Sequence, residues 1–159
     1  SKINFIVGYT YVLPIALEPD LIFAEDYTPG KPSFYSYNST SVNPTNKILK
    51  YRFQHTFKFD VEYLFKKFNV GVSGRYFSKV ENVDKAIFDF EEFTRNIGGD
   101  FPPVMYENYF YNHNMGRLIL DFRIGLELGE HQKVSVIVSN LLNSTYSLRP
   151  LKAEAMRSV

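Results

Sequence analysis

The 159-residue sequence contains no cysteine and no tryptophan. The absence of cysteine excludes a disulfide-stapled scaffold and a thiolate metal site. The 18 basic and 17 acidic residues leave a net charge of +1, which gives no electrostatic reason to expect nucleic acid as a partner. His55, His113 and His131 lie far apart and lack the spacing of metal ligands, so we expect no metal site and no cofactor.

The sequence also lacks any run of about 18 apolar residues, so we expect no transmembrane helix. Its mean hydropathy of −0.21 is that of a soluble protein. A transmembrane β-barrel has a similar value, because half of the residues in each strand are polar. No signal peptide opens the chain, which begins inside a strand pattern, and we interpret it as a fragment or processed piece. No catalytic constellation is evident, and we do not expect an enzyme.

The sequence is rich in aromatic residues, and the most regular pattern that contains them runs from Ile48 to Phe65. Every second residue is apolar or aromatic, with His55 as the exception, and nearly all the intervening residues are polar or charged. A period of two predicts a β-strand with one apolar face and one wet face. At roughly 3.3 Å per residue this strand would extend about 60 Å, much longer than strands in soluble domains.

The same alternation recurs along the chain and predicts an all-β, antiparallel fold. The predicted strands cover about 2–13, 47–65, 68–79, 117–128 and 132–140, and Arg157–Val159 resembles the opening of a sixth. Short turns at 66–67 and 129–131 alternate with long connections at about 14–46, 80–116 and 141–156. Within these connections, Phe34–Tyr37 either packs locally or forms a short extra strand. Residues 83–96 predict a helical turn or two with Ile87, Phe90 and Phe93 on one side.

Short turns at one end and long loops at the other are typical of outer-membrane barrels. We therefore expect an antiparallel transmembrane β-barrel segment with short periplasmic turns and long extracellular loops. Measured from the short turns, the membrane spans would be about 55–65, 68–78, 118–128 and 131–140, with 48–54 projecting beyond the bilayer. Aromatic girdles would then fall at the two interfaces. Their members would be Tyr63, Phe65 and Phe68 at the inner interface, and Tyr9, Phe53 and Tyr76 at the outer one.

Alternation alone does not say whether the apolar face points inward or outward. A soluble β-barrel or sandwich that binds a lipophilic ligand or a protein is therefore the alternative to the membrane barrel.

Three segments together resemble one family, the TonB-dependent receptors of the outer membrane. The run from Leu49 to Thr56 resembles the segment that opens a late barrel strand in these receptors, and Asp121–Gly125 resembles the following membrane strand. Asn140–Pro150 resembles the near-terminal NLxN-x-x-Y segment in its Bacteroidetes form, and Arg157-Ser158 the start of the last strand. The resemblance covers nearly the whole chain, and its most specific part is the Asn-Leu to Tyr segment.

The resemblance implies the C-terminal portion of a plugged barrel of about 22 strands in the outer membrane of a Gram-negative bacterium. Such a receptor imports a scarce nutrient, namely a siderophore, a vitamin or a glycan. The implied partners are the remainder of the barrel and its plug, outer-membrane lipid, a TonB-type energising complex that acts through the missing N-terminal part, and a surface lipoprotein. No nucleic acid is implied.

Two groups of residues are candidates for a site. Tyr106, Tyr109, Tyr111 and His113 lie in the 80–116 connection, where they either stack on a sugar or aromatic iron chelator or fold the loop on itself. Asp60 and Glu62 share the polar face of their strand, as a paired-carboxylate site or as partners in cross-strand ion pairs. For these carboxylates we expect the ion pairs.

Overall fold

A computed structural model describes residues 1–29, 31–97, 105–129, 132–146 and 156–159. The chain is mainly antiparallel β, and it divides into two compact units. The sheet unit comprises residues 1–12, 54–78 and 116–159, and the loop unit comprises 13–53 and 79–115. The strands are β1 Lys2–Tyr11, β2 Ile22–Thr28, β3 Lys31–Ser36, β4 His55–Phe65, β5 Phe68–Phe77, β6 Arg117–Glu127 and β7 Lys133–Val138. The helices are α1 Lys85–Ile97 and α2 Tyr106–Asn108, which continues as a π-helical turn, Tyr109–His113.

The sheet unit contains one antiparallel sheet with the strand order β1-β4-β5-β6-β7. The register aligns the apolar residues of neighbouring strands, as in the row Phe5, Val61, Val72, Phe122 and Val138. The predicted alternation is therefore confirmed across five strands. Because successive side chains in a strand point to opposite faces, one face of the sheet is apolar and the other carries most of the charge.

Both long connections leave and re-enter the sheet at the same end. Tyr11 at the end of β1 pairs with His55, and Phe77 at the end of β5 pairs with Arg117. The Lys66–Lys67 turn lies at the opposite end, and Lys66 adopts the positive φ of 51° that such a tight turn requires. At the turn between β6 and β7, residues 130–131, including His131, lie outside the described residues.

The predicted strand over 47–65 is wrong in its first part, because β4 begins at His55. Lys47 and Tyr51 have positive φ values of 53° and 60°, which an extended strand does not accommodate. The backbone here bonds to the loop unit instead: the Leu49 N–H donates to the Pro14 carbonyl and the Tyr51 N–H to the Asn82 carbonyl. The alternation before residue 54 therefore belongs to an irregular segment and not to a strand. Phe53, which we predicted to lie in the outer girdle, forms an isolated β-bridge with Val80 within the loop unit. The other two predicted members, Tyr9 and Tyr76, pair with Phe57 from the two neighbouring strands.

The loop unit has more regular structure than the sequence predicts for its two connections. β2 and β3 form a two-stranded hairpin inside 14–46, and this includes the extra strand around Phe34–Tyr37. The helix expected at 83–96 is confirmed as α1. Its predicted apolar side is wrong in part, because Phe90 and Phe93 are each 60% exposed, whereas Ile87 is half-buried and Glu91, one turn after it, is buried.

Asn82 lies at the centre of the loop unit and is fully buried. Its Nδ2 donates to the Tyr37 hydroxyl at 2.7 Å and to the Ile48 carbonyl at 3.0 Å, and its Oδ1 accepts the Asn43 N–H at 3.0 Å. One amide side chain therefore ties together three loop segments, since a buried polar group must find partners. Val83 beside it is also fully buried.

The segment after β7 is a tight turn organised by Asn140 and Asn143, both with positive φ. The Asn140 side chain donates to the Ser144 carbonyl and accepts the Ser144 N–H, both at 2.9 Å. The Asn143 side chain accepts the Arg157 N–H at 3.1 Å, and Ser158 then forms an antiparallel bridge with Ser139. Asparagine tolerates the left-handed conformation, which explains the two asparagines of the NLxN pattern. Residues 147–150 of the Asn140–Pro150 segment lie outside the described residues.

No helix in the described ranges is long and apolar enough to cross a membrane.

Candidate functional site

The first candidate site is the polar-face cluster, which consists of Asp60, Ser73, Arg75, Asp121 and Arg123 on β4, β5 and β6. Arg123 binds Asp60 in a bidentate pair, with Nη1 to Oδ2 at 2.7 Å and Nη2 to Oδ1 at 2.8 Å. Ser73 Oγ donates to Asp60 Oδ2 at 2.6 Å and accepts from Arg123 Nη1 at 2.8 Å. Fork-to-fork pairing is the strongest geometry that an arginine and a carboxylate adopt.

Gly71 makes this arrangement possible, because the Arg123 side chain crosses over it to reach Asp60. A Cβ at residue 71 would lie 2.5 Å from Arg123 Nε, so any other residue would displace the arginine. Gly74 has the same role on the apolar face, where a Cβ would overlap the Phe59 ring. In both places a glycine inside a strand marks a close approach of a neighbouring side chain.

The other two members of the polar-face cluster form a looser pair. Arg75 Nη2 lies 3.2 Å from Asp121 Oδ2, while Asp121 Oδ1 accepts the Asn140 N–H at 2.8 Å. A shallow pocket of about 220 Å³ is lined by Ser73, Asp121, Arg123, Ile137 and Ser139, together with Phe122. Both carboxylates are engaged by arginines, and Glu62 accepts from Asn69 instead of meeting Asp60. The expected cross-strand ion pair is confirmed for Asp60, and Asp121 forms another with Arg75.

The second candidate site is the aromatic loop, residues 105–115, which carries all four residues predicted to bind a ligand. Two of the four rings pack against Phe88 of α1: the Tyr106 centroid lies 6.3 Å from that of Phe88 and the Tyr111 centroid 5.8 Å. Tyr109 packs on Tyr106 at 6.0 Å. Offset and edge-on ring pairs at such distances stabilise the loop that contains them.

The four predicted residues differ in exposure. Tyr106 and Tyr109 are half-buried, and burial, followed by the nearby Tyr109, raises the pKa of Tyr106. Tyr111 is 63% exposed and His113 is also exposed. The structure therefore assigns the first two to the packing of the loop and leaves Tyr111 and His113 accessible to a ligand.

Hydrogen bonds hold the aromatic loop near both of its ends. The buried Glu91 of α1 accepts the Glu107 N–H through Oε2 at 3.0 Å and binds Arg95 Nη2 through Oε1 at 3.1 Å. At the other end, the Asn114 side chain accepts the Val80 N–H at 3.1 Å and donates to the Val80 carbonyl at 2.6 Å. Sequence reasoning missed both anchors and Phe88, because each makes contacts at least 16 positions away in the chain.

Comparison with known proteins gives no family assignment: no protein-family model matches the chain, and no curated protein matches it. The described residues contain no group of three histidine, aspartate or glutamate side chains that could hold a metal ion.

Proposed function

We propose that this chain forms part of the barrel of an outer-membrane receptor of the TonB-dependent type, which binds and imports a scarce nutrient. The nutrient is a siderophore, a vitamin or a glycan. In this proposal the sheet unit is the membrane-spanning part and the aromatic loop belongs to an extracellular surface. The remainder of the barrel and its plug, outer-membrane lipid and a TonB-type energising complex are its partners.

The observation that carries the proposal is the exposure of the apolar face of the sheet. Phe5 on β1 is 71% exposed, Val61 on β4 41% and Val136 on β7 46%, so the face is uncovered from one edge strand to the other. A soluble protein rarely exposes a continuous apolar surface of this extent. Hydrocarbon is the environment that would cover it without a second protein layer.

The dimensions and the opposite face of the sheet also support the proposal. β4 has 11 residues, which extend about 36 Å, and a tilt near 45° brings this to about 26 Å along the membrane normal. The apolar band of an outer-membrane barrel is about 25 Å tall. The charges of the polar-face cluster, paired and half-exposed, suit a lumen that water or a plug fills.

Neighbouring positions on β4 give a direct test, because the natural chain has no cysteine to interfere with labelling. Val61→Cys reports the apolar face and Lys58→Cys the polar face, three residues away on the same strand. Each variant is labelled with a polarity-sensitive dye and folded into liposomes that contain nitroxide-labelled lipid. We expect lipid to quench the dye at residue 61 strongly and the dye at residue 58 weakly.

Equal quenching at both positions would contradict the membrane proposal. So would cooperative folding of the unlabelled chain in plain buffer without detergent, because the apolar face would then be an internal core. That result would favour a soluble β-barrel or sandwich that binds a lipophilic ligand or a protein. Import itself is measured in the complete receptor, as uptake with and without an energised inner membrane.

A further inference from the structure

We propose that the exposed ring of Tyr111, together with the side-chain amides of Asn108 and Asn112, binds the face of a neutral sugar ring. The inference rests on the proposed function, because it names the glycan as the class of nutrient that the proposed receptor imports. These three residues are called the sugar platform below.

The Tyr111 ring is exposed but supported from behind. It is 63% exposed, yet its centroid lies 5.4 Å from that of Phe110 in an edge-on contact and 5.8 Å from that of Phe88. A large apolar ring held in place and open to solvent has already lost most of the conformational freedom that binding would remove. The C–H groups of a sugar ring form an apolar face that fits such a flat surface.

Asn112 follows Tyr111 in the chain and Asn108 lies about one helical turn before it, so both amides belong to the same turn as the ring. Asn112 Nδ2 donates to Asn108 Oδ1 at 2.5 Å, and both side chains are exposed. This bond orients the two amides and leaves a donor on Asn108 and an acceptor on Asn112 directed to neither residue. Sugar hydroxyls both donate and accept, so they match this pair of groups.

The backbone of the platform is a π-helical turn over Tyr109–His113. Such turns are rare and are found frequently at functional sites. The anchors at Glu91 and Asn114 hold the loop on both sides of this turn. The platform is therefore fixed before a ligand arrives.

The small number of charged residues in the aromatic loop favours a neutral sugar over an iron chelate as the ligand. Between residues 105 and 116 the sequence contains no lysine and no arginine, and its one carboxylate is Glu107. Arg95, which reaches this region through Glu91, is engaged in an ion pair. A ferric chelate with several anionic oxygens would need cations at the contact. A neutral oligosaccharide needs an aromatic surface and amides, and these are what the platform offers.

The test measures binding of neutral hexasaccharides, namely an α-glucan, a β-glucan, a xylan and a mannan, to the full chain in detergent micelles. Calorimetry gives the affinity of each, and a ferric tris-catecholate serves as the anionic comparison. We expect at least one hexasaccharide to bind and Tyr111→Ala to weaken it at least about tenfold, through the lost ring contact. Tyr111→Phe keeps the ring and should bind nearly as well as the natural chain.

Two further variants separate binding from folding. Asn112→Ala leaves the ring cluster intact and should weaken the same sugar about two- to tenfold, the effect of losing one neutral hydrogen bond. Phe93→Ala on α1 is the matched control, since Phe93 is 60% exposed but lies outside the platform, and it should change nothing.

Failure of every hexasaccharide to bind, binding unaffected by Tyr111→Ala, or tighter binding of the ferric catecholate would each overturn the inference. None of these outcomes alters the lipid-quenching result, so the membrane proposal can be correct even if the sugar platform does not bind a sugar. Conversely, a chain that folds in plain buffer and binds a sugar through Tyr111 would retain the platform and reject the membrane proposal.

Discussion

The sheet unit and the loop unit satisfy their polar groups in different ways. In the sheet unit, backbone ladders join five strands in continuous register, and the apolar face remains exposed. In the loop unit, side chains bond to distant backbone groups, as Asn82 does to Ile48 and Asn114 to Val80. The deeply buried residues of the loop unit include the polar Ser41, Asn82 and Glu91 beside the apolar Ile48 and Val83.

This difference indicates which environment each unit needs. The inner strands β4, β5 and β6 are hydrogen-bonded on both sides within the sheet, but the exposed apolar face is stable only where something apolar covers it. The buried polar network of the loop unit has its partners within the unit, so it is suited to water. Substitutions on the apolar face of the sheet should therefore change stability through contact with lipid. Substitutions of buried loop residues should change stability through lost hydrogen bonds.

The largest effect is expected from a charge on the apolar face. Val61→Lys places an ammonium near the middle of β4, where it should destabilise the chain folded in lipid by about 2–4 kcal/mol. Phe93→Lys, at an exposed position in the loop unit, should change stability by less than about 0.5 kcal/mol. Urea unfolding in liposomes measures both. Equal, small effects would mean that lipid does not cover the sheet.

A somewhat smaller effect is expected at the centre of the loop unit. Asn82→Ala leaves the half-buried Asn43 N–H without its acceptor, which costs about 1–3 kcal/mol, while the Ile48 carbonyl keeps the Tyr37 hydroxyl as a donor. Hydrogen exchange should then lose protection at the Tyr51 amide, while β5 amides stay protected. The exposed Asn46→Ala is the control. Loss of protection in both units would show that they unfold together.

The ion pairs of the polar-face cluster should contribute less, because water reaches them. A double-mutant cycle with Asp60→Asn and Arg123→Met should give a coupling of about 1 kcal/mol. The single-contact pair of Arg75 and Asp121 should give a smaller value, since the Arg75 side chain is 43% exposed. If the looser pair coupled more strongly than the bidentate one, the assignment of the cluster as simple charge pairing would fail.

The smallest effect is a dependence on alkaline pH in the loop unit. Burial raises the pKa of Tyr51, whose hydroxyl also donates to Asp84 Oδ2 at 2.9 Å. The unfolded tyrosine ionises near pH 10, so its contribution to stability is complete below that pH and is lost as the pH rises further. Unfolding midpoints between pH 8 and pH 11 should fall less steeply in Tyr51→Phe. Identical slopes would exclude this role for Tyr51.

Sequence patterns predicted the sheet well because strand periodicity is a local property. Alternation over β4, β5 and β6 indicates that each segment is a strand and which of its residues share a face. The short Lys66–Lys67 turn makes β4 and β5 neighbours and fixes their register. The same pattern failed before His55. There Leu49, Tyr51 and Phe53 alternate with polar residues, but their backbone bonds go to distant loop segments. Burial does not alternate there, since Leu49, Lys50 and Tyr51 are all half-buried, so alternation of residue type by itself did not indicate a strand.

The candidate sites depended on the tertiary structure for a related reason. The sequence shows a cluster of aromatic residues at 106–113, but not which rings support the loop and which face outward. Phe88 decides that, and it lies 18 residues before Tyr106. In the same way, Asp60 and Glu62 occupy equivalent positions in the alternating sequence. Arg123 pairs with Asp60 because its side chain crosses over Gly71, which only the tertiary structure shows.

The sequence by itself determined the antiparallel strands, their two faces and the unequal lengths of their connections, because each follows from residues close together in the chain. Only the tertiary structure decided where β4 begins, how Asn82 closes the loop unit and which tyrosine remains exposed. Those features depend on contacts between residues far apart in sequence. No local period encodes such contacts, since their energy is realised only when the separate segments meet.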